Sequence, residues 1–223
     1  MADPIIDSWK SNAHAWISTV EGEDLESRKL VTNQAIVGTV LKYQPKKVLD
    51  VGCGEGWLCR ALQQHGIETL GVDAVADFIT HAREQGEGLF EQVSYQELIQ
   101  NKSLASMPFD AVVINFALLD QKITEALLPA LRNYLASSGY LIIQTLHPHS
   151  FNNDLPYQSG WHDEDWSLMK QEFTMPYRWY YRTLEDWVAL FIRSGYQIAE
   201  IREPLHPTTR RPASIIFGLQ YNR

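Results

Sequence analysis

Apolar segments alternate with segments of helical periodicity along the first two thirds of the chain. Residues 47–51 form an apolar run typical of a buried strand, and Leu58, Ala61 and Leu62 then recur at the spacing of a helix. Further strands are predicted at residues 67–73, 89–94, 109–116 and 140–146, and helices between them at residues 75–86, 95–100 and 123–139. Repeated strand–helix–strand units predict an α/β fold with a doubly wound, mostly parallel sheet.

This alternation ends after residue 146. Residues 147–187 contain ten aromatic side chains, a density more than twice the 11% of the whole chain, and three prolines are spread among the first thirty of them. Such a segment predicts an ordered insertion rather than a linker. A helix should follow, begun by Thr183 with Asp186 at the capping-box position, with an apolar face that comprises Leu184, Trp187, Val188, Phe191 and Ile192.

The chain ends with two apolar segments, residues 196–203 and 214–221, joined by a proline-rich loop. No helix fits between them, so we expect a C-terminal antiparallel strand pair. Two helices are predicted before the sheet, at residues 8–20 and 27–43. Together these patterns predict a single domain over residues 1–223. Residues 1–44 would form a helical cap, and residues 147–182 an aromatic insertion.

Composition and charge narrow the class of protein. The 223 residues, 45% of them hydrophobic, suit one globular domain, and no apolar run approaches the length of a membrane span. The N-terminus lacks the pattern of a signal peptide. Cys53 and Cys59 lie within and just after a glycine-rich segment, where a disulfide would distort the start of the following helix, and this favours the cytoplasm. A net charge of −8 argues against a broad nucleic-acid-binding face.

Three glycines, Gly52, Gly54 and Gly56, stand directly after the first predicted strand. Glycines there indicate a tight turn pressed against a ligand at the carboxyl edge of the sheet. A dinucleotide fingerprint would place its third glycine one position later, where this chain has Trp57. Asp73 ends the second strand 19 residues after Gly54, where a carboxylate can accept both hydroxyl hydrogens of a ribose. The pattern therefore predicts a nucleoside ligand.

Residues 48–56, VLDVGCGEG, resemble the first motif of the class I S-adenosylmethionine-dependent methyltransferases, D-x-G-x-G-x-G. With Asp73 and the C-terminal strand pair, the resemblance extends over nearly the whole chain and is strongest to small bacterial members that act on small molecules. It implies a Rossmann-like fold, S-adenosylmethionine as cofactor, S-adenosylhomocysteine as product and a small-molecule methyl acceptor.

The resemblance also implies a cofactor site along the carboxyl edge of the sheet. Its residues would be Asp50, Gly52, Cys53, Gly54, Trp57, Asp73, Ala74, Ser94, Tyr95, Asn115 and Phe116. Asp50 would orient the ammonium group of the cofactor, and Asp73 would hold the ribose. Ser94 and Tyr95 stand where many relatives carry an aspartate for the adenine. The alternatives are that Asp50 caps the turn and that Cys53 is a small buried residue.

Methyl transfer needs a general base only when the acceptor carries a proton. His147 and His149 follow the fifth strand and are candidates for this role, and the alternative is that they are loop histidines without a catalytic role. With His162 they could also form a metal site, but no carboxylate has a convincing spacing. We therefore predict no metal.

The aromatic insertion supplies candidates for an acceptor pocket, and the N-terminal helices supply its other wall. The predicted acceptor residues are Trp9, Trp16, Arg28, Trp161, Trp179, Tyr180 and Tyr181. Their aromatic faces suit a flat or apolar molecule, and Arg28 could pair with a carboxylate of cofactor or acceptor. The alternatives are a small secondary core for the aromatic residues and a surface position for Arg28.

Two other functions stay open. One is a nucleotide-dependent oxidoreductase, and the other is a cofactor-binding module without catalysis. DNA is disfavoured as acceptor because Asn115 is followed by Phe-Ala-Leu rather than by Pro-Pro-Tyr. We expect a monomer or homodimer without nucleic-acid or membrane partners.

Overall fold

The computed structural model describes residues 3–86, 88–149, 156–164, 166–167 and 169–221. Its helices are α1 Pro4–Ser11, α2 Ala13–Glu21, α3 Asn33–Lys42, α4 Trp57–Gln63, α5 Ala76–Glu84, α6 Tyr95–Ile99, α7 Gln121–Leu131 and α8 Leu184–Arg193. A π-helical turn, Arg28–Thr32, precedes α3, and a 3₁₀ turn, Arg132–Tyr134, follows α7. In this described part of the chain, no helix has the length and apolarity needed to cross a bilayer.

Seven strands form the main sheet. They are β1 Lys47–Val51, β2 Glu68–Asp73, β3 Leu89–Gln92, β4 Phe109–Asn115, β5 Leu135–Thr145, β8 Tyr196–Arg202 and β9 Ile215–Tyr221. Their spatial order is β3-β2-β1-β4-β5-β9-β8, with β1 to β5 parallel and β9 antiparallel to both of its neighbours, β5 and β8. β2 and β3 are added on one side of β1, whereas β4 and β5 are added on its other side. The gap between β1 and β4 is therefore the topological switch point, where open α/β sheets bind ligands. The predicted fold class is confirmed.

Both faces of the sheet are covered. Leu49 and Val51 of β1 belong to one core, which α7 and α8 complete, whereas Val48 belongs to a second core with α3 and α4. Because successive side chains of a strand point to opposite faces, a sheet covered on both sides requires continuous apolar runs. The apolar run of β1 is therefore explained by its central position.

The first predicted helix, residues 8–20, is divided in two at Asn12. This residue ends α1, and its buried side chain accepts a hydrogen bond from Thr174 N (2.8 Å) and donates one to Met175 O (2.9 Å). Asn12 therefore ties the N-terminal helices to the segment that leads into the insertion hairpin. The helical periodicity of the sequence does not report such a distant partner.

The C-terminal half of the predicted helix 123–139 is wrong. The α-helix ends at Leu131, with Pro129 in its last turn, and β5 begins at Leu135, which pairs with Phe109 of β4. Strand pairing at the sheet centre thus overrides a local helical pattern.

The predicted apolar face of α8 is correct only in part. Trp187, Leu190 and Phe191 are buried, whereas Leu184 and Ile192 are exposed. Thr183 does cap the helix, through a hydrogen bond from Asp186 N. The buried stripe is therefore narrower than the apolar residues of the sequence suggest.

The aromatic insertion contains a two-stranded antiparallel hairpin of β6 Gly160–Asp163 and β7 Arg178–Tyr181. The backbone N–H of Tyr180 donates to the carbonyl of Leu119, in the loop after β4 (2.8 Å). The hairpin is thereby attached beside the switch point. Residues 150–155, 165 and 168 of the insertion, including Phe151, lie outside the described residues.

Candidate active site

The glycine-rich turn after β1 adopts a backbone that other residues resist. Gly52 and Gly54 have φ angles of 75° and 55°. A Cβ at Gly52 would lie 2.6 Å from both the Ala117 Cβ and the Tyr95 hydroxyl, so the position has no room for a side chain. At Gly54 the nearest neighbour of a Cβ is Trp16 Nε1 at 3.9 Å, and Gly54 lines an open cavity. The turn therefore presents bare backbone to that cavity.

Asp73, at the carboxyl end of β2, is fixed beside this turn. Its Oδ2 accepts from Gly54 N (3.0 Å) and its Oδ1 accepts from Val75 N (2.9 Å). Burial raises the pKa of Asp73, while the backbone hydrogen bonds, including those from Val75 and Gly54, lower it. A carboxylate has about four lone-pair positions, so Asp73 keeps acceptor capacity for a ligand. Backbone donors thus hold an oriented acceptor at the edge of the sheet.

Asp50 lies behind the turn, in β1, and is 1% exposed. It does not line the cavity, and its hydrogen bond comes from the thiol of Cys59 at 3.5 Å rather than from a backbone N–H of the turn. Burial raises its pKa to about 7, with Asp73 and Glu55 adding to the effect. The alternative that Asp50 caps the turn has no support in these contacts.

A cavity of about 460 Å³ extends from the glycine-rich turn to the insertion hairpin. It brings together most of the residues predicted from the sequence. The cofactor residues among its lining are Gly52, Cys53, Gly54, Trp57, Asp73, Ala74, Tyr95, Asn115 and Phe116. The acceptor residues among it are Trp9, Trp16, Arg28, Trp179, Tyr180 and Tyr181.

Two more of the predicted site residues, Ser94 after β3 and Trp161 in the insertion, do not line the cavity. Ser94 caps α6 in a reciprocal capping box with Glu97, and its neighbours Tyr95 and Gln96 line the cavity instead. Trp161 is exposed on β6, edge-to-face against Tyr180 with ring centroids 5.5 Å apart. Ser94 serves the helix start, and Trp161 covers the outside of the hairpin.

His147 and His149 do not line the cavity either. The Nε2 of His147 lies 2.8 Å from the Glu203 carboxylate, and its Nδ1 accepts from the His149 backbone N–H at 3.2 Å. These contacts place the ring proton on Nε2 and direct the imidazole to the base of the loop. Neither histidine therefore lines the described part of the cavity, and their role as general bases stays a prediction.

Arg28 is positioned at the cofactor end of the cavity by the π-helical turn before α3. Its guanidinium lies over the rings of Trp16 and Trp57, at 5.5 and 5.2 Å from their centroids. Its Nη2 is buried and has no hydrogen-bond partner within the described residues, although Glu55 contributes a favourable charge. Burial lowers the pKa of Arg28. Arg28 is thus partly buried and lines the cavity.

Five further candidate site residues were not predicted from the sequence. Glu55 is buried, accepts from Trp57 N at 3.1 Å and forms an ion pair with Arg60, which fixes the start of α4. The other four line the acceptor end of the cavity and are Glu164, Trp166, Tyr177 and Arg182. A glutamate inside the glycine motif was a usable signal for Glu55. The other four depend on how the insertion folds, which no local pattern reports.

The aromatic residues of the insertion were expected to form either an acceptor pocket or a small secondary core, and the inward face of β7 shows how they pack. Tyr177, Trp179 and Tyr181 are buried as a small cluster, with Trp9 and Trp166 packed against it. All five also line the cavity. Burial raises the pKa of Tyr177 well above its usual value, and its hydrogen-bonded partner Glu164 raises it further. The cluster is therefore both a secondary core and a cavity wall.

Comparisons with known proteins agree with this geometry. The family described as "Methyltransferase domain" matches residues 13–201. An uncharacterised protein of Haemophilus influenzae is 21% identical over 88% of this chain and 85% of its own length. A ubiquinone biosynthesis O-methyltransferase of Leptothrix cholodnii is 29% identical, and the match spans 51% of this chain and 50% of that protein.

Solved structures show the same fold. The plantazolicin methyltransferase BamL, in complex with a triazolic desmethylPZN analog and S-adenosylhomocysteine, has a TM-score of 0.69 at 16% identity and covers 99% of this chain and 96% of its own. An S-adenosylmethionine-dependent methyltransferase from Clostridium acetobutylicum has a TM-score of 0.63 at 14% identity, over 95% and 99% of the two chains. The chain therefore belongs to the methyltransferase-domain family of class I S-adenosylmethionine-dependent enzymes.

Proposed function

We propose that this protein transfers a methyl group from S-adenosylmethionine to a small molecule bound between the sheet edge and the aromatic insertion. The observation that carries the proposal is one cavity that reaches from Gly54 and Asp73 to Trp179 and Tyr181. Its volume of about 460 Å³ lies in the range of small-molecule sites. The name of the Leptothrix cholodnii relative, a ubiquinone biosynthesis O-methyltransferase, also supports a small-molecule acceptor.

The cofactor end of the cavity suits an adenosine-bearing amino acid. In this proposal Asp73 accepts hydrogen bonds from the ribose hydroxyls, and Arg28 Nη2 donates to the amino-acid carboxylate. The Oδ1 of Asn115 is buried without a partner among the described residues, so it is available to the ammonium group. Binding of this ammonium group favours the ionised form of Asp50, which then supplies negative charge from behind the turn. These residues thus offer acceptors to the ribose hydroxyls and the ammonium group, and a donor to the carboxylate.

Little further chemistry is required of the chain. S-adenosylmethionine supplies a methyl group on a positively charged sulfur, which is already reactive. The protein then has to align the acceptor and exclude water. We assign these tasks to the helices within residues 1–44 and to the insertion, residues 147–182, because Trp9 and Tyr177 from these segments face the cavity with their rings 5.7 Å apart.

Location in the cytoplasm forms part of this proposal. Cys53 and Cys59 are both buried and both free. Free thiols are typical of reducing compartments such as the cytoplasm, where cysteines are not oxidised to disulfides.

Isothermal titration calorimetry with S-adenosylhomocysteine and NADH tests the cofactor assignment. We expect S-adenosylhomocysteine to bind and NADH to bind at least about 100-fold more weakly, because Trp57 replaces the last glycine of the dinucleotide fingerprint. Tighter binding of NADH would favour an oxidoreductase. Steady production of S-adenosylhomocysteine with a library of small molecules would then separate an enzyme from a cofactor-binding module, which binds without turnover.

A further inference from the structure

Arg182 is a buried cation at the acceptor end of the cavity that the proposed methyl transfer leaves without a role. It follows β7 directly and precedes the cap of α8, and its side chain is 0% exposed. Burial of a guanidinium is costly unless its charge is balanced and its N–H groups have partners. The partners of Arg182 therefore indicate what else this end of the cavity binds.

The guanidinium of Arg182 lies next to two aromatic rings. Its carbon lies 4.7 Å from the centroid of Tyr180 and 5.1 Å from that of Trp187, and both rings line the cavity. Along its edge, Nη2 donates to the carbonyl of Gln121 at 2.9 Å. Nη1 and Nε are buried without a hydrogen-bond partner among the described residues. The side chain is therefore held in place but retains unused donors.

The charge of Arg182 is already balanced. Glu125 lies 3.7 Å from its Nη2 and Asp186 lies 3.6 Å from its Nε, while Arg193 lies 3.5 Å from the same Glu125. Two cations and two carboxylates give this cluster a net charge of zero. An additional anion would thus face two carboxylates, whereas a neutral oxygen would meet only a donor. Arginine has no acceptor atom, so the missing partner has to accept.

The position of Arg182 places this oxygen on the acceptor rather than on the cofactor. Gln121 begins α7, directly after the loop that follows β4, and β4 lies between β1 and β5. Asp73, by contrast, ends β2 on the other side of β1. The switch point therefore separates the ribose-binding carboxylate from the unused donors of Arg182.

From these observations we infer that Arg182 Nη1 donates a hydrogen bond to a neutral carbonyl oxygen of a flat, conjugated methyl acceptor. The inference rests on the proposed function, because it concerns the acceptor of the same cavity. The cavity-lining rings of Trp9, Trp179 and Tyr181 supply the surfaces that a conjugated molecule would contact. Arg182 would then select for the acceptor without taking part in the bond changes at the methyl group.

Three matched probes test this inference: 4-hydroxyacetophenone with a neutral carbonyl, 4-ethylphenol without one, and 4-hydroxybenzoate with a carboxylate. Each is titrated by calorimetry into protein saturated with S-adenosylhomocysteine. We expect the ketone to bind about tenfold or more tightly than 4-ethylphenol, the effect of one hydrogen bond from a charged donor, and more tightly than the carboxylate. In Arg182→Met, which removes every donor, this preference should disappear.

Arg193→Met is the matched control, because it removes one positive charge from the same cluster but no donor from the cavity, and it should keep the preference. If Arg182→Met does not fold, Arg182→Gln, which is neutral and too short to place a donor at the position of Nη1, gives the same comparison. Equal affinity or no binding of the three probes, tighter binding of the carboxylate, or a preference that persists without Arg182 would overturn the inference. Failure of S-adenosylhomocysteine itself to bind would instead contradict the proposed function.

Discussion

At the scale of single residues, Gly52 shows how backbone geometry and ligand approach are combined. Its φ of 75° alone would strain a side chain, and a Cβ would also collide with Ala117 and Tyr95. Gly66 has nearly the same φ, 76°, but nothing lies within 4 Å of its Cβ position. These two glycines therefore separate the cost of the backbone angle from the cost of crowding at the site.

We predict that Gly66→Ala lowers the free energy of unfolding by about 1 kcal/mol and leaves S-adenosylhomocysteine binding unchanged. Gly52→Ala should lower stability by about 2 kcal/mol or more and weaken binding at least about tenfold, since the turn has to move. Urea denaturation and calorimetry measure the two effects. Equal changes in both variants would show that the turn has no special relation to the ligand.

Asp50 leads to a prediction about pH. Its folded pKa of about 7 exceeds the ordinary aspartate value of 3.8, so the native state holds a proton there that the unfolded state loses first. Stability is therefore lost as pH rises between these two values. Asp50→Asn removes this titration, so the variant should gain at least about 1 kcal/mol over the native protein at about pH 8 and little at about pH 4. A gain that is independent of pH in chemical denaturation would contradict the assignment.

The residues of the cofactor end could be predicted because they belong to short motifs. The spacing of Gly52 and Gly54 indicates the turn, and the position of Asp73 at the end of the second predicted strand indicates the ribose-binding carboxylate. Arg28 was a candidate, but its place between Trp16 and Trp57 follows from how the first helices pack. Arg182 had no local signal, because its partners Gln121 and Trp187 belong to separate helices.

At the scale of elements, the strands at the sheet centre were predicted well, because both of their faces are apolar. The helix predicted to continue to Gly139 failed, since Leu135 pairs with Phe109 and β5 is longer than its apolar run. The insertion hairpin was not predicted either. Its attachment depends on distant partners, among them Leu119 and Asn12.

Asn12 tests whether this attachment matters for the acceptor end. Asn12→Ala removes its hydrogen bonds with Thr174 and Met175 from a buried junction, so we expect a loss of about 2 kcal/mol of stability. Amide hydrogen exchange should accelerate at residues 177–181, while S-adenosylhomocysteine affinity stays within about twofold. Asn133→Ala, in an exposed pair with Asn101, serves as control and should leave this exchange unchanged. Unchanged exchange in Asn12→Ala would refute the coupling.

At the scale of the whole molecule, the protein consists of a sheet edge that meets a separate aromatic wall. The sheet edge contributes the glycine-rich turn and Asp73, and the wall combines the N-terminal helices with the insertion hairpin. The overall fold followed from the alternation of strands and helices. The closure of the cavity did not, because it arises between segments more than a hundred residues apart.

The central claim is that Asp73 and the adjacent turn bind the cofactor, and calorimetric titration of S-adenosylhomocysteine into Asp73→Ala tests it most directly. Asp77→Ala, in the exposed first turn of α5, is the matched control, and thermal denaturation of both variants establishes that they fold. We predict that Asp73→Ala binds about 10- to 100-fold more weakly than the native protein, whereas Asp77→Ala binds equally well. A folded Asp73→Ala variant with undiminished affinity would contradict the account.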